Sequence, residues 1–420
     1  IVDMLKKINN LNFRNICTNI GRNISIVLLI MGVNDMQKSG QSQRIEIFDG
    51  MRGLASVIVM IFHMAVWTVY GYSANEYKVF ANSFWRVATQ TPLKLIWGGN
   101  EAVLVFYIIG GFVLARPYLS GRKLDFKPFI IKRWIRLMLP YVLIITVTVM
   151  LIALFGAWKH DTIDLSGSFN VKWKRVPNAL EMLLYFLGYD YNLNILSGAF
   201  WSMVQEWRLS FILPFIAVAL HRYATGKVLG GYAVMQFAIE KLTDWGMRSD
   251  TAWLAQLSES LNRTNYYAIF FVMGAVLAKH MPAIRTFVQE HRLFRILSAW
   301  AIPFLIPSQW ILAALGFSFR VRHALLLTGL GIILFLLLCL ESPRLTAFFK
   351  SKPLLLLGKL SFSLYLTHTT SIVLFVTLLG QIIPPEIALL LSPLFALPVA
   401  YLWQKYVETW CLDLLNHFKK

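Results

Sequence analysis

The stretch RIEIFDGMRGLASVIVMIFHMAVW, residues 44–67, decides the class of fold. With the residues that follow, it is apolar over 53–72, long enough to cross a hydrocarbon core of about 30 Å as a helix, and its charges gather at the start as Arg44, Glu46, Asp49 and Arg52. One ionisable group, His63, sits inside the apolar run. Arg52 and His63 are eleven positions apart, close to three full turns, so a helix projects both from one face about 16 Å apart. That spacing predicts a guanidinium at one membrane edge and an imidazole near mid-membrane.

The rest of the chain repeats the pattern. Hydrophobic residues make up 57% of the 420 positions and charged residues 15%, whereas an ordinary soluble domain carries about a quarter charged residues. A water-soluble fold of this size could not cover its surface, so the expectation is an all-α, polytopic membrane bundle. Candidate spans lie near 53–72, 100–119, 138–157, 203–221, 228–242, 264–280, 296–315, 323–341, 360–380 and 384–404, with a weaker one at 178–189. The excess of 40 Lys+Arg over 21 Asp+Glu, a net charge of +19, follows from the positive-inside rule and anionic headgroups rather than from nucleic-acid binding. Cys17, Cys339 and Cys411 are scattered, without a CxxC, and imply neither a disulfide framework nor a metal site.

Charge also orients the spans. The segment holding Arg116, Arg122, Lys123, Lys127, Lys132, Arg133 and Arg136 should face the cytoplasm, and so should Lys279 to Arg295 and the stretch from Arg344 to Lys359. Ten crossings keep all of these inside and make both termini cytoplasmic, provided that 178–189 is a re-entrant or surface helix. The loop 157–177, with Lys159, Lys172, Lys174 and Arg175, then lies outside against the rule. Residues 24–33 are apolar over too short a run to span and carry no cleavage site, so 1–43 reads as an N-terminal extension, expected to be disordered. The membrane domain is expected over 44–410, with a cytoplasmic tail at 411–420.

An ionisable group inside a span costs at least about 2.5 kcal/mol on insertion scales, so each is a candidate for function. His63 is the sharpest, against the alternative of a hydrogen-bonded packing residue. Arg133 and Arg136, at i and i+3 with Lys132 adjacent, offer two forked donors to a phosphate or carboxylate, or serve as membrane-edge anchors. Glu206 and Arg208 enter the fourth span together, either as a local ion pair or with the carboxylate orienting a histidine or an incoming hydroxyl. The segment GKLSFSLYLTHTT carries Tyr365 and His368, the latter about 14 Å in from Lys359, a depth comparable with that of His63. Glu408 reads as a surface or interfacial group. No H-E-x-x-H, G-x-S-x-G or GxxxxGK[ST] occurs, so zinc hydrolysis, an elbow serine and a P-loop lack support.

Taken together and in order, FDGMRG…H, VFYIIGGFVL, KRWIRLMLPY, FWSMVQEWRLSFILP and GKLSFSLYLTH resemble the acyltransferase 3 family of membrane proteins, from Arg44 to about Glu408. The resemblance implies a bundle of about ten helices that moves an acyl group, commonly acetyl from acetyl-CoA, to a hydroxyl of a sugar or other acceptor, in a bacterial cytoplasmic membrane. It implies a catalytic His63 served by Arg52 and Glu206, with Arg133, Arg136 and Lys132 holding the acyl-CoA. Asp49, Trp201, Ser202, Arg208, Tyr365 and His368 are expected around them as acceptor-facing or supporting groups. No metal is implied; the partners are acyl-CoA, a glycan or lipid-linked sugar, and membrane lipids. Two departures stand out: Gly110 takes the place of a more usual serine, and Glu206-Trp207-Arg208 that of an acidic doublet. A secondary transporter of a small polar solute is the alternative, since it too keeps charges mid-membrane.

Overall fold

The structure is a computed structural model and describes residues 45–190, 192–317 and 321–417. The extension expected over 1–43 lies outside the described residues, as does Cys17. Among the described residues there is no strand. In chain order the long elements are α1 (Glu46–Trp67), α2 (Gly99–Leu119), α3 (Phe126–Lys159), α4 (Phe200–Arg222) and α5 (Thr225–Met247). They continue with α6 (Ala252–Glu290), α7 (Arg292–Leu305, turning by 67° into Ser308–Ala314), α8 (Val321–Glu341), α9 (Lys352–Leu379) and α10 (Pro385–Leu391, turning by 43° into Pro393–Leu415).

Seven of these are long and apolar enough to cross a membrane, or up to nine if each bent pair is one span. The expected ten is not reached because α5, although helical for 23 residues, carries Lys227, Glu240, Lys241 and Asp244. The weak segment at 178–189 forms the helix Ala179–Phe186, eight residues and about 12 Å long, too short to cross. Asn178 and Glu181 close a capping box at its start, and Arg175 pairs with Glu181 at 2.5 Å. At the other boundary, helix continues through the expected tail at 411–420 as far as His417, with residues 418–420 outside the described set.

Local chemistry sets several ends. Glu46 and Asp49 occupy the first turn of α1, where the exposed N–H groups favour negative charge. Within α3, residues Trp134–Met138 form a π-helical turn that ends two positions before Pro140, whose missing N–H and bulky ring disturb the preceding turn.

Two helix crossings fix the heights of the site residues. A Cβ on Gly53 of α1 would sit 2.5 Å from the backbone nitrogen of Gly358 in α9, and one on Gly358 only 2.3 Å from the carbonyl oxygen of Asp49. Between α2 and α6, a Cβ on Gly111 would lie 2.1 Å from the carbonyl of Phe271, and one on Gly274 2.1 Å from that of Ile108. Backbones in such contact leave no room for sliding, so α1 and α9 hold their side chains in one register.

The two ends of the bundle differ. At one end Lys350 pairs with Glu46 at 2.8 Å and Arg285 with Glu341 at 2.5 Å. At the other, Lys94 is buried with its ammonium 3.2 Å from the ring centre of Trp97 and 4.1 Å from that of Trp310, and burial pushes it down to about 7. The basic loop 157–177 belongs to this second end. Lys159 and Lys172 are buried and Arg175 is paired, so three of its cations are structural rather than free orientation signals.

Candidate active site

Three cavities follow one another into the bundle from the end that carries Glu46 and Lys350, its basic end, where Arg122, Lys123, Lys132 and Arg136 gather. The outermost, about 650 Å³, is walled by Arg122, Lys123, Lys132, Arg133 and Arg136, with Leu412 and Leu415 of α10 opposite. The second, about 140 Å³, shares Arg133 and Arg136 with it and adds Asp49, Arg52, Glu206 and Glu408. The third, about 20 Å³, shares Arg52 and Glu206 with the second and reaches Tyr107, Ser202 and Tyr365; it has room for a single water.

Arg133 joins the first two cavities. Its guanidinium lies 3.6 Å from Glu206 and donates from Nε and Nη2 to the Ser210 hydroxyl at 3.2 and 2.8 Å. Ser210 in turn donates to the Glu206 carbonyl at 2.7 Å. A cation held this way, with its side chain 11% exposed, is fixed by α4 rather than lying on the membrane edge. Arg136 is exposed at the mouth. Arg52 lies with its guanidinium carbon 5.9 Å from the ring centre of Phe106, and Phe106 in turn packs on Tyr365 at 5.6 Å.

Tyr365 closes the innermost cavity. Its hydroxyl is bonded to that of Ser202, and Tyr107 donates to the Ser202 carbonyl at 3.1 Å. Behind Tyr365 lie the two intramembrane histidines, their ring centres 5.3 Å apart. His63 is 7% exposed and also packs on Phe62 and Trp67; His368 is fully buried. His63 stands four residues from the end of α1, about 6 Å by helical rise, so it belongs to the far third of the span rather than to its middle. It lines none of the three cavities described above. Arg52 and Glu206, expected to serve the imidazole, line the cavities on the other side of Tyr365 instead.

From the far side, the loop between α3 and α4 covers His63. Ser166 donates from its hydroxyl to the Val66 carbonyl at 2.7 Å, Ser197 bonds Thr369 at 2.5 Å, and Gly198 rests on the ring. A Cβ on Gly198 would lie 2.6 Å from His63 Cε1. Lys172, buried in the same loop, donates to the Asn194 carbonyl at 2.9 Å, and burial with help from Lys159 pushes its ammonium down to about 7. It is near enough to His63 to act on the ring through space.

Two expected residues fall elsewhere. Arg208 does not pair with Glu206; it donates to Ser260, Thr264 and the Gly188 carbonyl, with Asp190 3.8 Å away. Asp190 is the buried centre of that network, accepting from Gln205 at 2.9 Å and Arg263 at 3.1 Å, and its satisfied bonds mark a structural role. Trp201 packs on Tyr267 at 5.2 Å. Conversely, Glu408 is not a surface group: it lines the second cavity and accepts from the Ser363 hydroxyl at 2.7 Å. Its one signal in the sequence was isolation, a lone carboxylate between Glu386 and Asp413. Among the described residues no group of three or more His, Cys, Asp or Glu is placed to hold a metal.

The closeness of Gly198 to His63 gives a test that leaves every charge in place. Gly198→Ala should displace the ring by a sizeable fraction of an ångström and lower turnover by about a hundredfold if that ring reacts. The measurement is turnover at saturating substrates in purified, monodisperse protein; unchanged turnover would mean that the ring yields without consequence.

A family model described as an acyltransferase domain matches residues 45–403. No curated protein and no solved structure matches the chain.

Proposed function

Because the chain belongs to the acyltransferase 3 family, we propose that it moves an acyl group, acetyl foremost, from acyl-CoA to a hydroxyl of a sugar or polysaccharide acceptor. The observation that carries the reading is the succession of three cavities that share Arg133, Arg136, Arg52 and Glu206 and lead toward Tyr365, behind which two histidines touch. The basic end faces the cytoplasm of a bacterial cell in this reading, in keeping with its cations. Lys132, Arg133 and Arg136 hold the phosphates of the donor, and its slender pantetheine arm follows the second cavity inward. Asp49, Glu206 and Glu408 offer carboxylates to the amide N–H groups of that arm.

At the centre, His63 takes the proton of the acceptor hydroxyl while the oxygen attacks the thioester carbonyl. The C–S bond breaks, and the thiolate leaves with the proton returned from the imidazolium. The innermost space holds one water in this conformation, so the aromatic side chains around Tyr365 have to move before a thioester reaches His63. The loop carrying Gly198 has to yield to admit the acceptor.

Purified protein in lipid nanodiscs, supplied with labelled acetyl-CoA and a surface-glycan extract, should release free CoA thiol and transfer label to the glycan. Absence of both, with uptake of a polar solute into vesicles in the absence of acyl-CoA, would overturn the reading in favour of a transporter.

A further inference from the structure

The polar atoms of His368 are half satisfied, and the unsatisfied half lies beside His63. Nδ1 of His368 lies 2.9 Å from the carbonyl oxygen of Leu364 and 3.0 Å from that of Tyr365. Both oxygens can only accept, so Nδ1 carries the hydrogen, and in the neutral ring Nε2 is left as a bare acceptor. Nε2 is fully buried and meets no hydrogen-bond partner among the described residues. A histidine kept only for packing would leave this lone pair stranded at a cost that an apolar ring of similar size avoids.

Two titratable side chains pack against the His368 ring and carry a hydrogen to give. The Tyr365 hydroxyl is engaged with the hydroxyl of Ser202. The His63 ring, 5.3 Å between centres and tilted by 41°, is the other. Resting on the acyl-transfer reading above, we propose that His368 is a positioning residue for His63: once the His63 ring turns to meet it, Nε2 of His368 accepts the N–H of His63, so that the other ring nitrogen of His63 presents its lone pair to the acceptor hydroxyl.

The arrangement follows the logic of a base oriented by a third group, here a second imidazole whose own tautomer is fixed by helix carbonyls. No additional proton is consumed. The proton taken from the acceptor goes to the free nitrogen of His63 and leaves on the CoA thiol, while the N–H toward His368 stays in place throughout. Lys172 is the cation that acts on His63 from the loop side, and Tyr365 is the remaining titratable group against the pair.

The test compares His368→Phe, which keeps a ring without nitrogen, with His368→Gln, which restores an acceptor oxygen near the position of Nε2. Phe should lower kcat about a hundredfold, with the acyl-CoA KM and thermal stability unchanged, and Gln should recover at least about tenfold of that loss. Unchanged kcat in the Phe variant, or a Gln variant no better than Phe, overturns the proposal. A readout independent of turnover is carbethoxylation of His63 by diethyl pyrocarbonate, followed by mass spectrometry: it should slow several-fold in the Phe variant and recover in the Gln variant. Equal labelling in all three proteins overturns the His368 role by itself. A wild-type protein that releases no thiol from acyl-CoA overturns the acyl-transfer reading instead, and the labelling comparison still decides whether the two rings are coupled.

Discussion

Replacing His63 with Ala should lower acyl transfer by about a thousandfold or more, the range of a lost general base. The side chain is 7% exposed and its ring lies against Phe62, Trp67 and His368, so it has no bulk water in which another base could substitute. His63→Gln separates packing from chemistry, because it fills much of the same space and lacks a nitrogen that can accept a proton. Both variants should insert and purify like the parent, and both should be inactive when product is followed by mass spectrometry of the glycan. Full activity in either would return His63 to a packing role between α1 and α9.

Arg133→Ala should raise the acyl-CoA KM by tens of fold, with a smaller effect on kcat. Its guanidinium faces the mouth while held by Glu206 at 3.6 Å and by Ser210, so truncation removes a phosphate donor and also strands a carboxylate that is 21% exposed. The double variant Arg133→Ala/Glu206→Ala separates these two effects. If the stranded carboxylate repels the donor, the double variant recovers much of the KM; if the lost donor bonds dominate, it does not. Arg133→Lys should recover only part, since an ammonium cannot present the fork. An unchanged KM in the single variant would leave Arg133 as an anchor of α3 to α4.

The sequence made the order of the spans legible because apolar runs survive any packing arrangement, and it made the pair His63 and His368 legible because a polar group in such a run is rare. It could not show that they touch: 305 positions separate them, and the contact depends on glycine crossings whose partners are equally distant. The partner of Glu206 was hidden for a related reason. Arg208 is two positions away in sequence, but on a helix i and i+2 point apart, and the partner that α4 meets is Arg133. Hydropathy also does not register direction, so the 67° turn in α7 and the 43° turn in α10 passed as straight spans. The second of these is followed by the π-helical stretch Trp403–Glu408, and Glu408 reaches the cavity from the end of that stretch.

The wide turn at Trp134–Met138 has a consequence for how this helix can be altered. Such a turn accommodates one residue more than the surrounding spiral needs, so excising a single residue there would let the spiral close up again. The half carrying Arg133 would then keep its facing relative to the half that follows, whereas excising one residue from the regular spiral beyond the wide turn would swing it by about 100°. In that second case its guanidinium would leave Ser210 and Glu206, so a shortening that the wide turn absorbs would, a few residues further on, unhook α3 from α4.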